Sequence, residues 1–346
     1  MNKILFLIIF IPVLLQAEQD ARIDISDTNI TKTIYDMAID ADGNFFLAAF
    51  DYNGGGIYKS NINSTDDSYD MLLQTDDLFL FSIAILNFNT ESTDDDILLA
   101  AGYFKNCQCG VLLKKESKSA VWNEVFFDEL DNPFTANIFS IATNTNKKDG
   151  TGFNRVFLAC ANGIIYYSDD TAKTFREAKL NADNYVIKKI TFVDNRTGYA
   201  IAGKDRYLSD KLYKTSDNGS TWTLIKDFST YFISVNDISV SNDTIVLCGS
   251  KLSKGMMMFS IDAGENFQFI KYQNEDSFPV PFIFVTLKGA SRFAVDENGV
   301  VYKNEGNLKE WTLYSANSSL GKFTGAKVIN GNLIFYGYNG KVYYIK

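Results

Sequence analysis

A six-residue phrase of polar and apolar positions recurs along this chain: a turn residue, any residue, two apolar residues, any residue, then Ser or Thr. Gly55, Ile57, Tyr58 and Ser60 fit it, as do Gly163, Ile165, Tyr166 and Ser168. Asp210, Leu212, Tyr213 and Thr215 fit with Asp in the turn, and Gly255, Met257, Met258 and Ser260 fit again. Weaker copies begin at Gly110, Gly299 and Gly340 and end in Lys115, Asn304 and Ile345. The interval between the seven starts shrinks from about 55 to about 41 residues along the chain, the length of one four-stranded propeller blade. Each unit also reads internally as strands. Around Ser168, apolar segments at 138–142, 155–161, 164–167 and 175–180 are separated by polar turns. Asn162-Gly163 lies between two of them, a strong short hairpin signal because both residues tolerate positive φ. Asn-Gly recurs at 298–299, 330–331 and 339–340. No segment sustains a 3.6-residue period, so helix should be minimal. The pattern predicts an all-β, seven-bladed β-propeller of four-stranded antiparallel blades.

The last unit is short, because the chain ends at Lys346 without a fourth strand. Arg22-Ile23-Asp24-Ile25-Ser26 alternates like an outer strand, and pairing it into the last blade would close the ring and remove an open edge. No linker separates the units, so residues 18–346 read as one domain. Before it, Lys3 precedes an apolar run at 4–15 and then Gln16 and Ala17. That matches a secretory signal, with a cut expected after Ala17, and is too short for a membrane-spanning helix. The mature chain is expected to be exported, periplasmic or extracellular, with no stable membrane span.

A second signature, S/T-x-D-x-G-x-T-W/F, follows the third strand of several units. Thr215, Asp217, Gly219, Thr221 and Trp222 make the complete copy; Ser260, Asp262, Gly264 and Phe267 make another, with Asn266 in the Thr place. Ser168, Asp170, Thr174 and Phe175 make a third, in which Ala172 replaces Gly. The carboxylate suits an Asx-type turn, Gly suits a backbone that a β-carbon would oppose, and the aromatic can fold back between blades. The motif resembles the Asp-box, or bacterial neuraminidase repeat. Families carrying it include sialidases, sortilin-type receptors, some xyloglucan-active glycosidases and the photosystem II stability/assembly factor group. The general look is most similar to the last, which implies an exported, non-catalytic, seven-bladed propeller. The signature lies in the turn between third and fourth strands, so Asp170, Asp217 and Asp262 belong to the outer, lower rim and are expected to be structural.

Chemistry is sparse. The 346 residues include no histidine, which removes Ser-His-Asp and Cys-His catalysis and His-based metal sites. With 33 basic against 42 acidic residues and a net charge of −9, nucleic-acid binding is disfavoured. Sialidases use three arginines, and this chain has only Arg22, Arg155, Arg176, Arg196, Arg206 and Arg292. Asp40-Ala41-Asp42-Gly43 and Asp296-Glu297-Asn298-Gly299 look like calcium loops but lack the later ligands and read as turns. Cys160 and Cys248 sit in apolar runs and should be buried and free, whereas a bridge between Cys107 and Cys109 would close a very small ring. No cofactor and no metal are expected. The face opposite the Asp signature, made of second-to-third strand loops and blade connections, is the expected binding face. It carries Tyr52, Tyr103, Phe134, Arg206, Tyr207, Tyr231, Phe278 and Phe282, although several of these could instead pack in blade cores. The expected function is a protein-interaction or assembly scaffold with a protein or glycan partner. The alternative is a carbohydrate-active propeller, sialidase-like hydrolase or lectin.

Overall fold

A computed structural model describes residues 23–26, 30–61, 69–86, 96–107, 109–116, 118–146, 153–180, 182, 184–204, 207–272, 277–287, 292–315, 322–329 and 332–345. Seven four-stranded antiparallel sheets are arranged as the blades of a propeller. Blade I is Thr33–Ile39, Asn44–Asp51, Gly54–Asn61 and Asp70–Thr75. Blade II is Leu78–Leu86, Ile97–Phe104, Gly110–Glu116 and Asn123–Val125. Blade III is Ile138–Asn146, Phe153–Cys160, Ile164–Ser168 and Arg176–Lys179. Blade IV is Val186–Phe192, Gly198–Lys204, Tyr207–Thr215 and Thr223–Asp227. Blade V is Ile233–Ser241, Thr244–Lys251, Lys254–Ser260 and Gln268–Phe269, and blade VI is Phe282–Thr286, Arg292–Asp296, Val301–Asn304 and Thr312–Ser315. Blade VII takes three strands from the C-terminal end, Phe323–Ile329, Asn332–Gly337 and Val342–Ile345, and its fourth from Ile23–Ser26. The closing register runs from Ile23 opposite Ile345 to Ser26 opposite Val342, as the alternating N-terminal segment predicts. Among the described residues the only helical turns are short 3-10 turns such as Ala161–Gly163.

Each second strand is covered on both sides by neighbouring blades, so its residues need not alternate. Phe45 to Ala49 and Val156 to Cys160 are buried at every position. Among the described residues the core divides into seven clusters, one between each pair of adjacent blades. Cys160 and Cys248 are free and buried within them, and burial pushes both thiols well up. Cys107 and Cys109 are joined as a disulfide in the second-to-third strand loop of blade II.

One irregularity repeats in all seven blades. The first strand, nearest the axis, slips register against the second by one residue, as between Ile34 and Asp36, Leu80 and Ser82, and Ile138 and Ser140. A bulge leaves one residue unpaired and re-aims it. The bulged residues are Tyr35, Phe81, Phe139, Lys188, Asn236, Ile283 and Thr324.

Candidate functional site

The turns from first to second and from third to fourth strands form one rim. The second-to-third strand loops and blade connections form the other face. The first rim holds the Asp-containing turns. In blade IV the Thr215 hydroxyl donates to Asp217 at 2.8 Å and accepts the Gly219 N–H at 2.9 Å, while Asp217 accepts the Thr221 N–H at 2.9 Å. Ser168–Asp170–Thr174 and Ser260–Asp262–Asn266 repeat the scheme. Gly219 has φ +77, and a β-carbon there would meet Phe157 of the preceding blade at 2.3 Å. The terminal aromatics join three inter-blade clusters: Phe175 is buried in one, and Trp222 and Phe267 pack against two others.

These turns set an acid limit on stability. The Ser260 hydroxyl and the Asn266 N–H and side chain hold Asp262 down at about 2. Burial opposes ionisation of Asp170, but the Thr174 hydroxyl and N–H outweigh it and hold that carboxyl at about 2 as well. Both therefore stabilise the fold above pH ~4, a contribution lost as pH falls toward 2. Asp296, on the opposite face, behaves in reverse. Burial pushes it up to about 6, although it accepts the N–H groups of Val300 and Asn298. Its protonated form is favoured by folding, so the penalty appears as pH rises from ~4 through ~6. Asp296→Asn is expected to stabilise the fold at pH 7 by on the order of 2 kcal/mol and to match the wild type at pH 3.5. Urea unfolding at the two pH values checks this; equal midpoints at pH 7 would refute it. The Asp296 and Asp40 segments are turns, closed on their own N–H groups.

At the axis, charged groups are engaged across blades. Asp36 of blade I accepts Lys327 of blade VII at 2.9 Å, and Ser82 Oγ and Ile83 N of blade II at 2.7 and 3.1 Å. Asp237 of blade V pairs with Lys189 of blade IV and accepts Val285 N of blade VI at 3.0 Å. The described arginines lie elsewhere. Arg155 pairs with Asp169 at the rim of Asp turns, Arg196 follows a first strand, Arg292 donates to Asn304 at 3.1 Å, and Arg176 is on an outer strand. Arg22 and Arg206 fall outside the described residues. Among the described residues no three His, Cys, Asp or Glu side chains are grouped to hold a metal ion.

The binding-face residues expected from sequence separate into three groups. Tyr52 is 85% exposed, Tyr231 is exposed and Tyr103 is half-buried. Phe134, Phe278 and Phe282 are instead buried in blade cores, which corrects their placement on the face. The reason lies in the glycine that opens the repeated phrase. Gly110 donates its N–H to Phe134 O at 3.2 Å, and Gly255 and Phe278 exchange two backbone bonds at 2.8 and 2.7 Å. With no side chain opposite, the connecting chain lies against the sheet and plugs its ring inward. Phe282 closes over Phe278 at 4.8 Å, so the stretch with Pro279 and Pro281 leads into the core. For Tyr207 the backbone lies in a blade IV strand, and its side chain is outside the described set, as Arg206 is.

What the structure brings together on this face is a ladder of half-buried rings across blades I–III. Tyr35 stacks on Phe50 at 4.0 Å, and Phe50 meets Phe81 at 4.6 Å. Phe81 stacks on Tyr103 at 5.5 Å and meets Phe139 at 5.3 Å. Phe79 joins Phe50 and Tyr103 at 5.1 and 5.4 Å. Lys105 lies 5.4 Å over Phe79 and donates to Tyr52 O at 3.0 Å, tying the loops of blades I and II together. Burial, and then the neighbouring phenols of Tyr338 and Tyr103, push Tyr35 up. Tyr35, Phe50, Phe79, Phe81 and Phe139 escaped the sequence reading, which named only Tyr103 of the six rings, because it looked to the loops and these five lie within strands. The available signal is an aromatic followed by a short polar residue in the first strands of consecutive units: Tyr35-Asp36, Phe81-Ser82, Phe139-Ser140.

No family model and no curated protein matches the chain. Solved structures match over nearly its whole length at low identity. A structure of YCF48 bound to D1 peptide aligns with TM-score 0.66 and 11% identity, covering 95% of this chain and 98% of that one. YCF48 from Cyanidioschyzon merolae aligns at 0.64 and 10%, covering 93% and 98%. A catalytically inactive virginiamycin B lyase from Staphylococcus aureus, with quinupristin, aligns at 0.67 and 12%, covering 94% and 99%. These likenesses show the β-propeller fold.

Proposed function

We propose that this chain is an exported, non-catalytic propeller that serves as a protein-interaction or assembly scaffold and holds its partner on the aromatic ladder of blades I–III. The observation that carries this reading is the six-ring ladder itself. Packed aromatic rings that remain half accessible can anchor a partner at little entropic cost. The neighbour YCF48, seen with a D1 peptide, supports a peptide or protein as the kind of partner. The absence of histidine from the sequence and the engagement of Asp36 and Asp237 in blade-to-blade contacts support a non-catalytic role. The shared hydrogen-bond scheme of the Asp170, Asp217 and Asp262 turns supports reading them as architectural Asp-boxes. Export rests on the apolar run at 4–15.

Affinity capture from the native envelope tests the reading. Tyr103→Ser and Phe139→Ser are expected to reduce the retained partner at least tenfold, with the unfolding midpoint of at least one of them within a few degrees of wild type. Unchanged capture by a folded variant refutes the ladder as the site. Stacked rings also present flat faces to sugars, so sialosides and glycosides are assayed in parallel; turnover there would establish the carbohydrate-active alternative instead.

A further inference from the structure

Blades IV and V carry a second feature of the same face, independent of the ladder. The connection between them ends at Phe232, which is 57% exposed and has φ 55, ψ 47. Beside it, the second-to-third strand turn of blade V is Leu252-Ser253, with φ 48 and 69, and Leu252 is 61% exposed. The two are neighbours because Ile233 pairs with Lys251 at the end of the sheet. Left-handed backbone is uncommon for bulky residues and strained when found; Gly or Asn is the ordinary choice in such turns. Here the chain accepts that strain twice, and both times the result is a large apolar side chain held out in solvent. Tyr231, 42% exposed, adds a third tip. Below it, buried Phe228 anchors the connector, its N–H bonded to Asp210 O at 2.9 Å.

The surrounding charge has one dominant sign. Lys226, Lys251 and Lys254 lie at or next to the ends of strands that meet this face of blades IV and V, Lys204 ends a second strand on the same face, and Lys204 and Lys211 lie over the Tyr185 ring at 5.0 and 4.9 Å. Lys226 lies 6.0 Å over the Tyr231 ring, and Lys211 pairs with Asp227 at 3.6 Å. A lysine collar is notable in a chain whose net charge is −9. Protruding tips cannot enclose a small molecule. Aromatic and leucine tips flanked by Lys226, Lys251 and Lys254 instead match the boundary between anionic lipid headgroups and acyl chains, where rings sit at headgroup level and lysine stems reach outward.

We infer that the loop face of blades IV and V docks on an anionic lipid bilayer, inserting Phe232, Leu252 and Tyr231 to headgroup depth. Among the described residues no helix is long and apolar enough to cross a membrane, so the contact is peripheral, made by side chains and reversible by salt.

The test is sedimentation of the full chain with vesicles of phosphatidylglycerol and phosphatidylcholine, and with phosphatidylcholine alone. Binding is expected on the anionic vesicles, at least tenfold weaker on the neutral ones, and at least tenfold weaker at 0.5 M than at 0.05 M salt. Phe232→Gly with Leu252→Gly is the decisive variant. It removes both tips while relieving both strained positions, so vesicle binding should fall at least tenfold as the thermal midpoint holds or rises. Phe232→Trp should be quenched by brominated lipid. Every variant shares residues 4–15, so differences between them report the tips. Tyr103→Ser should leave vesicle binding intact, which separates this surface from the ladder. Equal binding by the glycine variant, no preference for anionic vesicles, or loss of a protein partner instead of lipid would each overturn the inference.

Discussion

Asp237→Ala is expected to lower the unfolding free energy by about 2–4 kcal/mol, most of it from the buried N–H groups left without their acceptor. The carboxylate is almost wholly buried. It pairs with Lys189 and accepts the N–H groups of Ile238 and Val285. Truncation leaves an ammonium without its counter-charge and a buried Val285 N–H without its acceptor, and each carries its own desolvation cost. Because the three partners belong to blades IV, V and VI, the loss loosens two inter-blade contacts together. Equilibrium urea unfolding measures it. Pairing the change with Lys189→Met should recover part of the loss, since the stranded charge is removed. A single variant within 1 kcal/mol of wild type would show that Asp237 does not join these blades.

Removing Ile23–Ser26 is expected to cost about 3–4 kcal/mol, near 1 kcal/mol for each of the residue pairs lost. The consequence extends beyond those bonds. The Val342–Ile345 strand would become an unpaired edge, and such edges recruit other chains. The ring would lose the strand pairing that joins the two ends of the chain, and its closure would rest on the packing of blade I against blade VII and the Asp36–Lys327 pair. Size-exclusion chromatography should therefore show more self-association than the intact chain at the same concentration, alongside an earlier unfolding transition. A deletion variant that elutes as the intact chain does and unfolds at the wild-type midpoint would reduce the N-terminal strand to an ornament on a closed ring.

The architecture was legible in the amino-acid order because its signals are local. The repeated phrase marks third strands, Asn-Gly marks hairpins, and the Asp-Gly turns close on hydrogen bonds spanning four residues. Even ring closure could be read, since a three-strand last unit and a spare alternating segment have one complementary use. Burial of particular rings was another matter. Phe134 and Tyr103 both precede or follow turns, yet one plugs a sheet opposite a glycine and the other lies in the ladder. Nothing within a few residues of either distinguishes them.

Chain order alone settled the number of blades, their strand content and the turn chemistry, because each depends on neighbours a few positions away. Packing between blades decided the rest: which aromatics stay accessible, which aspartate meets which lysine around the axis, and where Phe232 and Leu252 are held outward. Those outcomes depend on residues one or more repeats apart. A one-residue bulge in each inner strand re-aims the side chains, and only the folded ring determines what they meet.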